Sequence, residues 1–455
     1  MMFSDKATSL ASYLCLLCLC LLCLCLLPIS SPVYAAVSGT WQHEWAQSTY
    51  LSSQNVQKFE SVIEPEWQDA FADLDWTARI RIRLDSETDL GGFDHRPSNY
   101  SSINGALASN THAEISLREL YVDGERYHSD SLPDMEWRIG KQQVVWGQAD
   151  GLKVLDVVNP QSYREFILDQ FEDSRIPLWM INLTLITGES ATLQLLWIPD
   201  TSYHELAESG SVYEITAAER TPFIQPEPMQ SVVLAEVDKP ENAFKDSDFG
   251  FRYKVFWQGW DLTFNYLHYY QDLPVFYQQH TADAVLIAPV YERSHLIGAS
   301  LSNVFSDFTL RAEIGYQTDT FHSSDAAQTQ GINHHQELAS VIGIDWQGLE
   351  ETFISVQWFR SQLFSYSAST IRDQIDQTVS LLIRKHFDNQ SWKAEVLSLY
   401  SLNHEDGLIR PKAAYFWFGN LEVWAGADVF YGKASGLYGQ FNRNDRIVVG
   451  FEWGF

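Results

Sequence analysis

Apolar and polar residues alternate with a period of two along most of the chain. Between residues 74 and 84 the even positions are apolar (Leu, Trp, Ala, Ile, Ile and Leu), whereas the odd positions include Arg79, Arg81 and Arg83. Successive side chains of a β-strand point to opposite faces of its sheet. The segment therefore predicts a strand with one apolar face and one charged face.

The same alternation returns in further runs, most of them about ten residues long, which is the length that a tilted strand needs to cross a bilayer. These runs lie at 113–122, 135–145, 177–187, 191–198, 249–257, 260–270, 293–303, 308–317, 337–346, 353–360, 378–386, 392–401, 412–418, 421–430 and 446–455. Together they predict an all-β fold, a transmembrane antiparallel β-barrel of about 16 strands over residues 74–455.

Short and long connections alternate between these runs. Short turns lie at 188–189, 258–259, 302–306, 347–350, 388–390 and 419–420, and long polar stretches at 86–112, 146–176, 199–247, 271–292, 318–335, 361–376, 402–409 and 431–445. Outer-membrane barrels have short periplasmic turns and long extracellular loops. A soluble β-sandwich needs no such sorting of its connections, so the pattern favours the barrel.

The start of the chain has the pattern of a secretory signal. All five cysteines fall within a leucine-rich stretch, residues 14–27, which follows Lys6 and precedes a small-residue exit at Ala35. This order predicts a signal peptide over residues 1–35. Cleavage after Ala35 leaves no cysteine, which excludes disulfide scaffolds, thiol enzymes and cysteine-ligated metal centres.

The last strand predicts the final location. Residues 446–455 alternate and end on Phe451, Trp453 and Phe455. Barrels of the Gram-negative outer membrane typically end on such a strand, and we interpret these three residues as the signal that the barrel assembly machinery reads. The expected location is the Gram-negative outer membrane.

The net charge of the protein limits the partners that it can bind. The formal net charge is −29, from 59 acidic against 30 basic residues, which argues against nucleic acid because phosphates repel such a surface. The expected partners are outer-membrane lipid and lipopolysaccharide. Divalent cations can bridge the acidic loops of the protein to the phosphates of lipopolysaccharide. Residues 36–73 precede the first strand that the alternation predicts. They are interpreted as an N-terminal periplasmic or lumenal segment, with residues 39–46 as an extra strand as the alternative.

A barrel this wide encloses a lumen, and the polar face of each strand lines it. A basic side chain that faces the lipid near the middle of the membrane would destabilise the barrel by about 2–4 kcal/mol. The predicted basic lumen wall comprises Arg79, Arg81, Arg83, Arg118, Arg138, Arg252, Lys254 and Arg311. Because the protein is acidic overall, its acids are expected in the loops and turns.

One long loop, residues 146–176, carries both acids and regularly placed apolar residues such as Leu155 and Phe166. A loop in water has no use for such residues, so we predict that it folds into the lumen and pairs its acids with the arginine wall. An external cap over the barrel mouth is the alternative. The candidate residues of this constriction loop are Trp146, Gly147, Asp150, Gly151, Asp156, Asn159, Pro160, Arg164, Asp169, Glu172, Asp173 and Arg175.

The stretch from Arg138 to Pro160, followed by Glu172-Asp-Ser-Arg-Ile-Pro177, resembles a large family of Gram-negative outer-membrane proteins that is labelled a domain of unknown function. Members are often encoded beside an inner-membrane pump of the resistance-nodulation-division (RND) type and a periplasmic protein similar to lipid carriers. The resemblance implies traffic in lipid-like or other hydrophobic compounds with these partners.

These observations lead to a channel or transport protein that moves a solute, hydrophobic or lipid-like by the resemblance, across the outer membrane. The basic wall leaves open an anion-preferring general diffusion porin. A closed barrel that serves as a scaffold for binding a partner or a surface is a third hypothesis. The sequence has no phosphate-binding glycine loop, no nucleophile elbow and no zinc-protease helix. We therefore predict no enzyme, no cofactor and no metal site.

Overall fold

The computed structural model describes residues 36–50, 56–71, 73–87, 90, 99–127, 133–222, 224, 230–325 and 329–455. The expected signal peptide, residues 1–35, lies outside the described residues. The helical elements of the described part are α1 (Phe171–Ser174) and a single 3₁₀ turn (Gly439–Phe441). No helix in this part of the chain is both long and apolar enough to cross a membrane.

Strands make up most of the described chain. In chain order they are β1 (Ala36–Ser48), β2 (Val56–Phe71), β3 (Leu74–Asp85), β4 (Ala108–Asn110), β5 (Ala113–Arg126), β6 (Met135–Gln142), β7 (Ser162–Tyr163), β8 (Leu178–Gly188), β9 (Ala191–Ile198), β10 (Glu205–Leu206), β11 (Ser231–Leu234), β12 (Asp248–Trp257), β13 (Trp260–Tyr270), β14 (Val275–His280), β15 (Ala284–Val290), β16 (Arg293–Phe305), β17 (Phe308–Ser323), β18 (Ile332–Trp346), β19 (Thr352–Phe364), β20 (Ile375–Phe387), β21 (Trp392–Ser401), β22 (Asp406–Trp417), β23 (Leu421–Tyr431) and β24 (Arg446–Gly454).

Eighteen of the described strands close into an antiparallel barrel. All except β4, β7, β10, β11, β14 and β15 belong to the wall, and each wall strand pairs with the next one along the chain. The barrel closes between β24 and β1, where Trp41 faces Trp453 and Ser48 faces Arg446. Closure leaves no free strand edge. The predicted all-β barrel is confirmed, with two strands more than the sequence indicated.

The outward positions of the wall are apolar and exposed. In β18, Ile342 and Ile344 are 49% and 51% exposed, whereas the preceding residue Val341, on the inward face, is 3% exposed. In β24, Ile447 is 50% exposed beside the buried Arg446. A surface with this much exposed aliphatic area suits the hydrocarbon core of a bilayer rather than water.

The two additional strands are β1 and β2, so residues 36–48 and 56–71 lie in the barrel wall rather than in a periplasmic or lumenal segment, and β1 matches the alternative of an extra strand at 39–46. The inward positions of β2 carry acids such as Glu60 and Glu64, and its outward positions include Ser61 and Pro65, which dilute the apolar face. Proline also removes a ladder donor, which argues against a strand when the sequence is read alone. The barrel strands nevertheless run from the first described residues to the chain end.

Short connections join the wall strands at one end of the barrel, and mostly longer ones join them at the other. The short connections lie at 72–73, 127–134, 189–190, 258–259, 306–307, 347–351, 388–391 and 418–420. At the long-loop end, loops 199–247 and 271–292 build a three-stranded sheet from β11, β15 and β14. The connection from β6 to β8, which contains the constriction loop, instead contacts strands around the inside of the wall.

Candidate functional site: the lumen and its constriction loop

The constriction loop is divided into two lobes by a tie at its neck. Asn159 accepts the N–H of Val144 at 2.7 Å through its side-chain oxygen, and its side-chain amide donates to the carbonyl of Ile176 at 2.9 Å. The N–H of Ile176 donates to the carbonyl of Pro160 at 2.8 Å. These bonds define a first lobe, residues 146–158, and a second lobe, residues 160–176.

The first lobe packs into an apolar cluster on the barrel wall. Trp146 and Leu155 are fully buried and pack with residues such as Leu267 of β13 and Leu296 of β16. Leu155 lies over Gly298 of β16, where a β-carbon would collide with its side chain. Burial of apolar area contributes about 25 cal/mol per Å², so this packing stabilises the docked position of the lobe.

Polar contacts fix the same lobe to β17 and β19. Asp150 forms an ion pair with Arg311 at 2.6 Å and accepts the side-chain amide of Gln357 at 3.0 Å. The other carboxylate partner of Arg311 is Asp345 of β18, at 2.8 Å. Glu313 accepts the main-chain N–H groups of Gln148 and Leu155. Four strands of one side of the wall, β16 to β19, therefore contact this lobe.

The second lobe is held by buried ion pairs and by an apolar cluster in which Phe166 and Leu168 pack against the wall. Arg164 contacts Glu60 of β2 at 2.6 Å. Glu165 contacts Lys58 at 2.9 Å and Arg446 of β24 at 3.1 Å, and Asp169 lies 3.7 Å from Lys58. Buried pairs are stable only when the charges on both sides are balanced. Here the lobe supplies acids and bases that each meet a charge on the wall.

The C-terminal part of the second lobe, which contains α1, lies against β3 and β5. Asp173 pairs with Arg81 at 2.9 Å. Arg118 donates to the carbonyl of Arg175 at 2.7 Å and to that of Glu172 at 2.5 Å. Arg118 is the extra residue of a β-bulge in β5, since Leu117 faces Ile80 and Glu119 faces Arg79. A bulge can re-aim a side chain in this way.

One ion pair joins the lobes, and two glycines shape the first one. Arg175 contacts Asp156 at 2.8 Å. A β-carbon at Gly147 would meet Asp156 at 2.9 Å, and Gly151 has a φ of +89°, which non-glycine residues rarely adopt. All twelve constriction-loop candidates therefore lie in one connected structure that touches the wall on both sides.

The predicted lumen-wall residues all have partners, and several of these are acids on the wall itself. Arg79 pairs with Glu66, Arg81 with Glu64 and Arg83 with Glu60, all from β2. The remaining pairs are Arg138 with Asp123 at 2.7 Å, Lys254 with Asp261 at 2.9 Å, and Arg252 with the carbonyl of Val145 at 3.1 Å. The expectation that the acids lie in loops and turns holds for Asp150 and Asp173 but not for the acids of β2, which was not predicted as a strand.

Three cavities surround the second lobe. The basic cavity, of about 450 Å³, is lined by Arg81, Arg83, Arg118 and Lys141 and by residues of the long loops. The strand-lined cavity, of about 280 Å³, shares Arg81, Arg83 and Asp173 with it. The Arg81–Asp173 pair therefore stands between two cavities.

The third cavity, the apolar cavity of about 380 Å³, lies between the lobes and β18 to β20. Its lining includes Leu152, Phe166, Phe171 and Phe359. It shares Ser174 and Leu206 with the basic cavity. Solvent-sized space thus exists on both sides of the second lobe.

Burial displaces the pKa of three loop groups. It lowers the pKa of Lys153 to about 8, against the attraction of Asp156 at 3.3 Å. It lowers the pKa of His204 to about 3, so this imidazole is neutral and its Nδ1 accepts the N–H of Gln161 at 2.9 Å. Burial raises the pKa of Asp169, although Lys58 opposes the shift.

Several residues that hold the loop were not among the predicted site residues. Lys58, Glu60 and Arg446 bind the second lobe, and Glu313 binds the first. The signal for two of them was the charged residues at even-numbered positions, Lys58, Glu60, Glu64 and Glu66, which form one face once β2 is recognised as a strand. The described residues contain no group of three or more His, Cys, Asp or Glu side chains that could hold a metal ion.

The family model described as "Protein of unknown function (DUF1302)" matches residues 53–369. The chain belongs to the DUF1302 family. This confirms the resemblance seen around the constriction loop, which the match includes in full. No protein with a curated description is a significant match to this sequence.

Several solved structures align with this DUF1302 protein along most of its length. OccAB3 of Acinetobacter baumannii is 8% identical, with a TM-score of 0.49, and covers 92% of this chain and 98% of its own. OpdK of Pseudomonas aeruginosa, solved with vanillate, is 9% identical with a TM-score of 0.49, covering 92% and 98%. The outer membrane channel DcaP of A. baumannii is 9% identical with a TM-score of 0.43, covering 94% and 99%. Identities this low do not transfer the roles of individual residues.

Proposed function

We propose that this DUF1302 protein is an outer-membrane transport channel that opens when the constriction loop is displaced. The observation that carries the proposal is that the loop reaches both sides of the lumen, with Asp173 on Arg81 of β3 and Asp150 on Arg311 of β17. Among the eighteen wall strands, β3 and β17 lie nearly opposite each other. A loop in this place controls what passes.

The cargo part of the proposal is a hydrophobic or lipid-like solute, moved together with an RND-type pump and a periplasmic lipid carrier. The family resemblance supplies the partners. The apolar cavity supports the class of cargo, because Leu152, Phe166, Phe171 and Phe359 leave space beside the second lobe rather than filling it.

An anion-preferring diffusion porin is the second candidate. It is favoured by the basic cavity, where Arg81, Arg83, Arg118 and Lys141 come together. The acids of β2 count against it, because Glu60 and Glu64 neutralise part of that charge. A closed scaffold remains the third candidate.

Single-channel conductance of the refolded protein in a planar bilayer tests the channel. The intact chain is compared with a variant in which a short Gly/Ser linker replaces residues 150–173. We expect brief, rare openings in the intact protein and sustained conductance in the deletion variant. Steady conductance of the intact protein with anion selectivity would favour the porin, and silence of both forms would favour the scaffold.

The matched control removes residues 274–290 from the long loop that contains β14 and β15, which lies outside the lumen contacts described above. Heat-modifiable migration on SDS gels shows that each variant forms a barrel. The control deletion should leave the conductance at the level of the intact protein.

The proposed partnership with the pump and the lipid carrier needs its own experiment. Phe71 and Phe418 lie at the short-turn end and are 78% and 86% exposed. A photo-crosslinking amino acid at either position, in cells that encode the pump and the carrier, should capture the carrier. Capture of assembly factors alone would count against the partnership without affecting the channel proposal.

A further inference from the structure

Cations and carboxylates both line the basic cavity, but they are unevenly paired. The six cations are Arg81, Arg83, Arg118, Lys141, Arg164 and Arg175, and the six carboxylates are Glu87, Glu114, Glu165, Asp173, Glu205 and Glu208. Four of the six cations have a carboxylate within ion-pair distance. Arg83 and Arg164 share Glu60, and Glu60 also lies 3.4 Å from Lys58. One carboxylate therefore serves three cations.

Arg118 and Lys141 have no carboxylate within ion-pair distance among the described residues. Arg118 donates only to main-chain carbonyls at the end of α1. The ammonium of Lys141 donates to the carbonyl of Leu117 at 2.6 Å. Both side chains are buried, at 7% and 4% exposure. Burying a cation without a counter-charge is costly, and a cavity beside both gives an anion room to reduce that cost.

The apolar cavity lies next to the basic cavity. The two cavities share the lining residues Ser174 and Leu206, and the lining of the apolar cavity continues to Phe166 and Phe171. A molecule with a charged head and an apolar body would place each end in matching surroundings. A small inorganic anion would use only the head region.

We propose that the basic cavity binds the carboxylate of an amphipathic organic anion at Arg118 and Lys141, with the apolar body directed past Ser174 into the apolar cavity. This deepens the proposed function and rests on it, since it names the class of transported molecule. It also combines the hydrophobic cargo with the basic wall.

Binding at this site has a consequence for the loop. Arg118 holds the carbonyls of Glu172 and Arg175, and the neighbouring Arg81 holds Asp173. A carboxylate that takes hydrogen bonds from Arg118 releases those carbonyls and competes with Asp173. The arriving anion thus loosens the part of the second lobe that separates the basic cavity from the strand-lined cavity.

Isothermal titration calorimetry on the full barrel in lipid nanodiscs tests the site, with octanoate as the probe. Octanamide has the same chain without the charge, acetate has the charge without the chain, and octyl phosphate has a different anionic head. We expect octanoate to bind at least tenfold more tightly than octanamide or acetate. Equal binding of octanoate and octanamide would overturn the proposal, and tighter binding of octyl phosphate would reassign the head to a phosphate.

Substitutions of the two cations test where the anion binds. Lys141→Gln should weaken octanoate binding about 10-fold or more, because charge-assisted hydrogen bonds are the strong ones, and Lys141→Arg should restore most of it. Lys433→Gln changes an exposed cation of the long-loop end and is the control. Unchanged octanoate affinity in both Lys141→Gln and Arg118→Gln would sink the site. The deletion experiment on residues 150–173 would still decide the channel independently.

Discussion

The two lobes of the constriction loop are held in different ways. The first lobe is packed dry against β13, β16 and β17 around Trp146 and Leu155, with no exposed area on either side chain. The second lobe touches three cavities. Phe166 and Leu168 also pack it against the wall, but its part around α1 is held by charges, with Asp173 on Arg81. Apolar packing has no substitute for its partners in water, whereas ion pairs can exchange with water, salt or another ion. The first lobe is therefore suited to be an anchor and the second to be the moving part.

The largest effect is expected from breaking the anchor. Leu155→Ala removes a fully buried side chain that lies on Gly298, and such truncations cost about 2–5 kcal/mol. We expect both lobes to detach and the conductance to approach that of the deletion variant. Bilayer recording measures the opening, and urea unfolding followed by tryptophan fluorescence measures the stability.

The control for this change is Leu152→Ala in the same lobe, at the edge of the apolar cavity, where the side chain is only partly buried. It should alter the conductance much less. Unchanged openings in Leu155→Ala would mean that the first lobe does not anchor the loop.

A smaller effect is expected from the moving lobe. Asp173→Asn removes the pair with Arg81, which keeps Glu64 as a partner. The Asp173 side chain is 39% exposed, so the lost stabilisation is about 1 kcal/mol after solvent screening. Openings should become about fivefold more frequent, with the barrel itself as stable as before.

Glu172→Gln is the matched control, because it removes the same charge from the same turn of α1. The Glu172 side chain is exposed and forms no ion pair among the described contacts, and its carbonyl is the group that Arg118 binds. If Glu172→Gln and Asp173→Asn raise the opening frequency equally, net charge rather than the Arg81 pair holds the lobe.

The same type of change in the first lobe sharpens the comparison. Asp150→Asn weakens the contact with Arg311, which keeps Asp345 at 2.8 Å. Because packing holds this lobe, the opening frequency should change less than twofold. An effect larger than that of Asp173→Asn would show that both lobes depend on charge and would remove the distinction between anchor and moving part.

Alternation within a strand was readable from the sequence, and pairing between strands was not. The apolar face of β3, with Trp76, Ile80 and Ile82, identifies it without any partner. β2 has Pro65 in its outward row, and its acids look like a solvated segment until Arg79, Arg81 and Arg83 are placed beside them.

The candidate site was predictable to the same degree. Apolar residues within a long loop indicated that it enters the lumen. The ion-pair partner of each charged residue could not be predicted, because Asp173 and Arg81 are 92 positions apart, and Asp150 and Arg311 are 161 positions apart. Only the closed barrel brings such residues together, and the bulge that aims Arg118 leaves no pattern in a single strand.

The last predicted effect is a pH dependence at the junction of the lobes. Lys153 of the first lobe contacts Asp156 and lies 4.6 Å from the centre of the Phe171 ring in the second lobe. Its pKa is about 8 in the docked loop, where burial disfavours the charge, against an ordinary value of 10.5 in water. The docked loop therefore binds fewer protons than the displaced loop between these values, so docking becomes more favourable as the pH rises from about 8 to about 10.5.

Opening frequency should accordingly fall over that interval in the intact protein. In Lys153→Met, which keeps the apolar stem and removes the charge, the fall should be absent, and openings at pH 7 should already be rarer than in the intact protein. Lys433→Met, at an exposed site far from the lobes in the chain, should keep the full pH dependence. An unchanged pH profile in Lys153→Met would assign the titration to another group and leave the Lys153 contact without a part in docking the second lobe.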